Sequence, residues 1–123
     1  MSDFSPARLF VYGTLMPGQS RWPALEPYAT AWGPATAPGR AWDTGLGYPA
    51  VRFGDTAELV PGVLVELDPE RASEAVARLD RIEGEGVLYR RVEVPTSGGR
   101  ALTYEWLGPV DGLRALALGW PPH

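Results

Sequence analysis

The sequence contains no cysteine, lysine or asparagine, and its single histidine is the final residue, His123. The chain therefore has no thiolate nucleophile, no lysine for a Schiff base or a phosphate-binding loop, and no Cys and His set for zinc. A serine–histidine relay would depend on a chain terminus, and termini are usually poorly ordered. The groups left for catalysis are carboxylates, hydroxyls, arginine side chains and backbone amides.

Clusters of basic residues and long apolar runs are also missing. All 11 basic residues are arginines, set against 15 acids, and the formal net charge of −4 disfavours a nucleic-acid partner. No apolar run approaches the roughly 18 to 20 residues of a membrane span, and residues 1–8 lack the basic and apolar regions of a signal peptide. We therefore expect a cytoplasmic protein that binds neither nucleic acid nor membrane.

The length and composition predict one globular domain. The chain has 123 residues, of which 45% are hydrophobic and 21% charged. A chain of this size hides about two thirds of its unfolded surface, which is enough for a stable core without disulfides or metals. We expect residues 1–123 to form a single domain, and the oligomeric state is left open.

Short apolar runs separated by glycine and proline predict a chain rich in strands. We expect six strands, with a hairpin turn at 96–99, and the strands cover residues 9–12, 39–44, 48–53, 60–67, 88–95 and 100–107. Residues 19–38 contain four prolines, and they predict a long loop or short helical turns. Residues 111–118 predict a short terminal helix.

One main helix is predicted after the fourth strand. Asp68-Pro69 is typical of a helix start, and apolar residues then recur at helical spacing over residues 69–83. Gly84 and Gly86 are expected to end the helix. The expected fold class is α+β, a small mixed β-barrel or sheet with this helix packed against it and short flanking helices.

Glu83 is the first candidate for chemistry, because of its position on this helix. It lies four residues after Leu79 and seven after Val76, so the spacing directs its carboxylate toward the buried side. Burial would raise its pKa, as a general acid or base near neutral pH requires. The alternative is a frayed last turn in which Glu83 and Glu85 point into water. Asp80 falls near the flank of the helix, where a solvated or salt-bridged role is expected.

The second candidate is the loop Tyr12-Gly13-Thr14-Leu15-Met16-Pro17-Gly18, which follows the first buried strand. Glycine lets the backbone approach a ligand closely, and successive amides leaving a strand can bind a carboxylate or an oxyanion. The same residues also occur where a strand simply ends, so this loop alone is compatible with a binding site and with an ordinary strand end.

Two other patterns indicate no site. Residues 45–50 match the spacing of a dinucleotide-binding loop, but Pro49 falls where a helix would have to continue. The acids Asp80, Glu83 and Glu85 do not have the spacing of a calcium loop, so no metal site is expected.

Several blocks, taken in their order and spacing, resemble the gamma-glutamylcyclotransferase-like family over most of the chain. The most informative are Tyr12-Gly13-Thr14-Leu15 and Leu79-Asp80-Arg81-Ile82-Glu83-Gly84. The other blocks lie at 39–43, 47–51, 61–67 and 89–92, and a strand containing Tyr104 follows them. Members that degrade glutathione typically carry serine and asparagine in place of Thr14 and Leu15. The chain therefore resembles more closely the branch that acts on γ-glutamylamines or on antibiotic intermediates.

The resemblance implies a mixed β-barrel with a cavity at one end and a reaction without cofactor or metal. Glu83 would be the catalytic acid and base, and the backbone amides of Tyr12, Gly13, Thr14 and Leu15 would bind the glutamyl group. Tyr89 and Tyr104 are weaker candidates for lining the cavity, since core packing would also explain both. The products would be 5-oxoproline and a free amine or amino acid. Two alternatives stay open, a non-catalytic ligand-binding module and an amide hydrolase in which Glu83 activates water.

Overall fold

A seven-stranded sheet dominates the computed structural model, which describes residues 7–84 and 86–121. The strands are β1 (Arg8–Val11), β2 (Ala29–Asp43), β3 (Pro49–Phe53), β4 (Leu59–Leu67), β5 (Tyr89–Val94), β6 (Ala101–Trp106) and β7 (Arg114–Ala115). The helices are α1 (Trp22–Leu25), a 3-10 turn (Glu26–Tyr28) and α2 (Ala72–Glu83).

The sheet is mixed because one of its strand pairs is parallel. The strand order is β3-β2-β4-β1-β6-β5, with β7 added on β2. The pair of β1 and β6 runs parallel, and the other pairs run antiparallel. Strand β1 therefore lies in the middle of the sheet, with a long antiparallel ribbon on one side and the β5–β6 hairpin on the other.

The two ends of the sheet curl toward each other into a nearly closed barrel. The backbone N–H of Phe53, on β3, donates to Glu105 Oε2, on β6, over 2.9 Å. The hydroxyl of Tyr89, on β5, donates to the carbonyl oxygen of Pro49, on β3, over 2.7 Å. These contacts join strands at opposite ends of the strand order, and the expected mixed β-barrel with one main helix is confirmed.

Alternating side chains of β1 enter two different cores, as the two-residue period of a strand requires. Leu9 and Val11 pack in the core that includes the apolar face of α2. Phe10, together with Tyr12 directly after the strand, packs in a second core with small and branched residues of the other strands. The apolar run of the first strand is thus buried on both faces, as the sequence predicts.

The prediction of a loop over residues 19–38 is wrong for the second half of that segment. Helical turns do form at 22–28, but β2 then begins at Ala29 and continues for 15 residues. Its first part pairs with β4, from Ala29 opposite Leu67 to Pro38 opposite Leu59. Strand β3 pairs only with the second part, residues 39–43. Prolines are tolerated where a strand has a neighbour on one side, so they do not exclude a strand here.

Two helix predictions also need correction. Helix α2 begins at Ala72 rather than at residue 69, because Asp68 forms a turn in which its carboxylate accepts from the N–H of Glu70. The predicted end is confirmed, since Gly84 caps the helix with φ of +66°. Glu85 lies outside the described residues. The prediction of a terminal helix at 111–118 is wrong, because Arg114 and Ala115 pair with β2 instead.

Within residues 7–84 and 86–121, no helix is both long and apolar enough to cross a membrane.

Candidate functional site

A small cavity of about 20 Å³ lies where β1 ends and where β3 and β5 begin. Eleven residues line it, and they include all seven residues singled out from the sequence. Those seven are Tyr12, Gly13, Thr14, Leu15, Glu83, Tyr89 and Tyr104, and the others are Phe10, Val11, Tyr48 and Pro49. The structure thus brings together residues that lie up to 92 positions apart in the chain.

Glu83 is the last residue of α2, and its side chain turns inward. The residue is only 8% exposed, so the frayed and solvated alternative does not hold. The left-handed conformation of Gly84 ends the helix directly behind it. The Glu83 carboxylate therefore places a negative charge in the lining of the cavity.

Arg21 balances that charge in part, and sequence reasoning did not identify it. Its Nη1 lies 3.5 Å from Glu83 Oε2. Burial raises the pKa of the Glu83 carboxyl, and the nearby Arg21 guanidinium opposes this rise without cancelling it. Arg21 precedes the short helix α1, in a segment without a periodic pattern, so nothing in the sequence connects it with residue 83.

The turn after β1 presents backbone groups to the cavity. The carbonyl oxygen of Gly13 accepts from Met16 N at 3.0 Å, and that of Thr14 accepts from Arg21 N at 2.8 Å. In the part of the chain that the structure describes, the N–H groups of Thr14 and Leu15 have no protein acceptor. Both residues also line the cavity.

Gly13 permits a close contact across the cavity. A Cβ atom at this position would lie 2.8 Å from Cγ of Pro49, a distance that real Cβ contacts do not show. The glycine in the predicted binding loop is therefore required by packing. Any larger residue would displace Pro49, whose carbonyl oxygen accepts from Tyr89.

Four tyrosines line the cavity, and the hydroxyls of three of them donate to protein acceptors. Tyr12 donates to the carbonyl oxygen of Tyr104, and Tyr89 donates to that of Pro49. Tyr104 donates to Asp80 Oδ1 at 2.7 Å, and Asp80 also pairs with Arg91. Asp80 therefore has the salt-bridged role expected for it, and it also orients a cavity residue. Burial raises the pKa of all three hydroxyls.

Aromatic rings form one wall of the site. Tyr89 packs edge-on against Trp106 with a centroid distance of 5.4 Å, and Tyr48 lies 6.5 Å from Tyr89. These aromatic residues lie far apart in the sequence, but the pairing of β5 with β6 places Tyr89 directly opposite Trp106. The packing holds the Tyr89 hydroxyl beside the cavity.

A larger depression lies elsewhere on the surface. It measures about 440 Å³ and is lined by residues 39–42, 58–60 and 115–117. Its two charged side chains, Arg40 and Glu58, form an exposed ion pair. A buried ionisable group within a cavity is the better indicator of chemistry, so we place the functional site at Glu83 rather than at the larger depression.

Comparisons with known proteins agree with this architecture. A family model described as gamma-glutamyl cyclotransferase, AIG2-like, matches residues 9–120. A search of curated proteins finds no match.

Solved structures share the fold. The uncharacterized protein PH0828 from Pyrococcus horikoshii superposes with a TM-score of 0.71 at 26% identity, covering 90% of this chain and 86% of that chain. The protein ytfP from Escherichia coli gives 0.61 at 28% identity, covering 92% and 95%. YkqA from Bacillus subtilis gives 0.69 at 23% identity, covering 90% and 38%, and this likeness shows the fold alone.

Proposed function

The chain belongs to the gamma-glutamyl cyclotransferase, AIG2-like family, and on that premise we propose that it converts a γ-glutamyl amine or γ-glutamyl amino acid to 5-oxoproline and the free amine. Family membership suggests a cyclotransferase type of function. The observation that carries the specific proposal is the buried carboxylate of Glu83, which shares a small cavity with unpaired backbone amides.

The proposed reaction needs a proton carrier rather than a nucleophile from the protein. The substrate's α-amino nitrogen attacks its own γ-carbonyl carbon, a new C–N bond closes the five-membered ring, and the bond to the leaving nitrogen breaks. During this step the attacking ammonium nitrogen loses two protons, and the leaving amide nitrogen gains two to depart as an ammonium ion. Glu83 accepts each proton in turn and passes it on, so it ends the cycle as a carboxylate.

The raised pKa of Glu83 suits this role. A carboxylate with an ordinary pKa binds a proton too weakly to take it from an ammonium group, and burial increases its basicity. Arg21 limits that increase, because its positive charge favours the carboxylate form. The two groups together support a base that gains and loses a proton readily.

The turn after β1 supplies hydrogen-bond donors. As the ring closes, negative charge develops on the γ-carbonyl oxygen, and preorganised N–H groups stabilise such a charge. The amides of Thr14 and Leu15 have no protein acceptor among the described residues and line the same cavity as Glu83. We assign them to the glutamyl part of the substrate, with Tyr12 and Gly13 shaping the wall beside them.

The decisive experiment identifies the product. The purified protein is incubated with a panel of γ-L-glutamyl amines and amino acids, and 5-oxoproline and glutamate are measured separately. We expect 5-oxoproline and the free amine in equal amounts. Glutamate would instead indicate a hydrolase in which Glu83 activates water, and saturable binding without either product would indicate a non-catalytic module.

A further inference from the structure

Three of the four tyrosines that line the cavity, Tyr12, Tyr89 and Tyr104, have one property in common. Each hydroxyl carries a single proton, and that proton is already used in a hydrogen bond to the protein. The acceptors are the carbonyl oxygens of Tyr104 and Pro49 and the carboxylate of Asp80, none of which can donate in return. The direction of each bond therefore follows from chemistry alone.

This arrangement fixes what the hydroxyls can offer to a ligand. A tyrosine oxygen whose proton is engaged can only accept a further hydrogen bond. The Glu83 carboxylate in the same cavity is also an acceptor. The side chains of Glu83, Tyr12, Tyr89 and Tyr104 thus present only acceptors to a ligand, whereas the free backbone donors, Thr14 and Leu15, belong to the turn after β1.

Tyr104 is the one of these three whose hydroxyl bonds to a charged side chain. Its hydroxyl bonds to Asp80, which lies on α2 nearly one helical turn before Glu83. The Arg91 guanidinium pairs with the same Asp80 carboxylate, and a carboxylate only accepts hydrogen bonds. Burial, the hydrogen bond to Asp80 and the negative charge of Glu83 all raise the pKa of this hydroxyl, so the phenol keeps its proton and donates it to Asp80 in a hydrogen bond.

We propose that the Tyr104 oxygen, held as an acceptor by Asp80, binds the α-ammonium group of the substrate beside Glu83. This inference rests on the proposed function and names the part of the site that recognises the amine. An ammonium group has three N–H donors, and Tyr104 and Glu83 supply two acceptors of the kind it needs. The unliganded cavity of about 20 Å³ has room for one group the size of a water molecule, which is also the size of an ammonium group.

The proposal assigns different tasks to the two residues. Glu83 exchanges protons with the nitrogen, whereas Tyr104 holds the nitrogen in reach of Glu83 without exchanging any. Asp80 is a positioning residue, because it acts on the substrate only through Tyr104. A substrate analogue without the α-amino group would make neither contact.

The test compares two ligands that differ only in that amino group. One is γ-L-glutamyl methylamide, a substrate under the proposed function, and the other is glutaryl methylamide, which lacks the amine and cannot cyclise. We expect Tyr104→Phe to lower kcat/KM for the first by roughly 10- to 100-fold, as loss of a hydrogen bond to a charged group does. The Kd of the second, measured by calorimetry, should change by less than about two-fold.

Two further variants keep the test sharp. Tyr28→Phe is the matched control, because Tyr28 is equally buried, lies outside the cavity lining and makes no hydrogen bond through its hydroxyl to any described residue. It should change neither value. Asp80→Asn keeps a partner for Tyr104 but can donate to it, which frees the tyrosine proton to face the cavity. We expect a higher KM for the glutamyl compound and an unchanged Kd for the glutaryl compound.

The outcomes separate this proposal from the proposed function. Equal weakening of both ligands in Tyr104→Phe, or no effect on either, would overturn the ammonium site while leaving the cyclotransferase activity in place. If the unaltered protein neither binds nor converts any γ-glutamyl compound of the product panel, both proposals are overturned together.

Discussion

Glu83 experiences two opposing effects, and their balance decides when it can act as a base. Burial favours the protonated carboxyl and raises its pKa, while the Arg21 guanidinium favours the carboxylate. The arginine side chain is 40% exposed, so its effect is partly screened by solvent. The net shift is upward from the ordinary value of 4.5.

Replacing Arg21 by glutamine should move the acidic limb of the pH–activity profile to higher pH. Glu83 must be ionised to accept a proton, so kcat/KM rises with pH through its pKa. Without the guanidinium, burial acts unopposed and the pKa rises further. The measurement is kcat/KM between about pH 4 and about pH 9 for both proteins. Arg78→Gln, on the exposed face of α2, is the control. If the acidic limb lies at the same pH in all three proteins, the contact between Arg21 and Glu83 does not set the pKa of Glu83.

The same pKa shift predicts a pH-dependent stability. Because the folded state holds the Glu83 proton more tightly than the unfolded state, stability falls as pH rises from the ordinary carboxyl value through the raised one. Glu83→Gln is neutral throughout and escapes this loss. Urea unfolding should therefore show the variant gaining stability relative to the unaltered protein as pH rises from about 4 to about 8. A constant difference would contradict the buried charge.

At the scale of elements, the turn after β1 and the start of β3 form one unit. Pro49 rests against Gly13 and holds the Tyr89 hydroxyl through its carbonyl oxygen. The turn at 44–47, before β3, contains Gly45 and Gly47 in left-handed conformations. A γ-glutamyl group is larger than the cavity, so we expect Tyr48 and Pro49 to move outward when a substrate binds.

Gly13→Ala should therefore reduce activity as well as stability. The added methyl group would push Pro49 away and disturb the Tyr89 hydrogen bond, and we expect kcat/KM to fall by about ten-fold or more. Gly33→Ala is a suitable control, because a Cβ atom there meets nothing within 4 Å. Steady-state kinetics measure kcat/KM and thermal unfolding measures stability for both variants. A loss of stability in Gly13→Ala with unchanged kinetics would contradict the role of this contact.

The elements with a strong local pattern were predictable from the sequence. The run 9–12, the alternating hairpin strands and the helix end at Gly84 all depend on neighbouring residues. Strand β2 was not predictable in full, because its first part is held by pairing with β4 rather than by its own composition. The terminal strand β7 likewise exists through its contact with β2.

The individual residues of the site were predictable from the sequence, but the contacts between them and distant residues were not. The spacing of Val76, Leu79 and Glu83 indicates a buried carboxylate, and the structure places it in a cavity. The contact with Arg21 and the orientation of Tyr104 by Asp80 depend on tertiary packing between distant segments. No local pattern marks such pairs, which explains why sequence reasoning missed them.

At the scale of the whole molecule, Glu105 joins the two ends of the sheet. It accepts from the backbone N–H of Phe53 on β3 and from Arg90 on the neighbouring strand β5. Its side chain is only 16% exposed. A carboxylate that bonds a backbone amide across the gap in this way helps to close the barrel.

Glu105→Ala should lower the free energy of unfolding by about 1 to 3 kcal/mol, because it leaves the Phe53 amide without its acceptor. Glu93→Ala also removes an acid that pairs with an arginine, Arg100, but on the more exposed part of the hairpin. It should cost less than about 1 kcal/mol. Chemical denaturation measures both changes, and equal losses would show that Glu105 does not close the barrel.

The most direct test of the central claim compares two glutamates on the same helix. Glu83→Gln keeps the shape of the buried side chain and removes its ability to accept a proton, while Glu74→Gln makes the same change at a residue exposed to solvent. With a γ-glutamyl substrate, we expect kcat/KM for 5-oxoproline formation to fall by about 10² to 10⁴-fold in Glu83→Gln and to stay within about two-fold in Glu74→Gln. Undiminished formation of 5-oxoproline by a folded Glu83→Gln protein would contradict the role of Glu83.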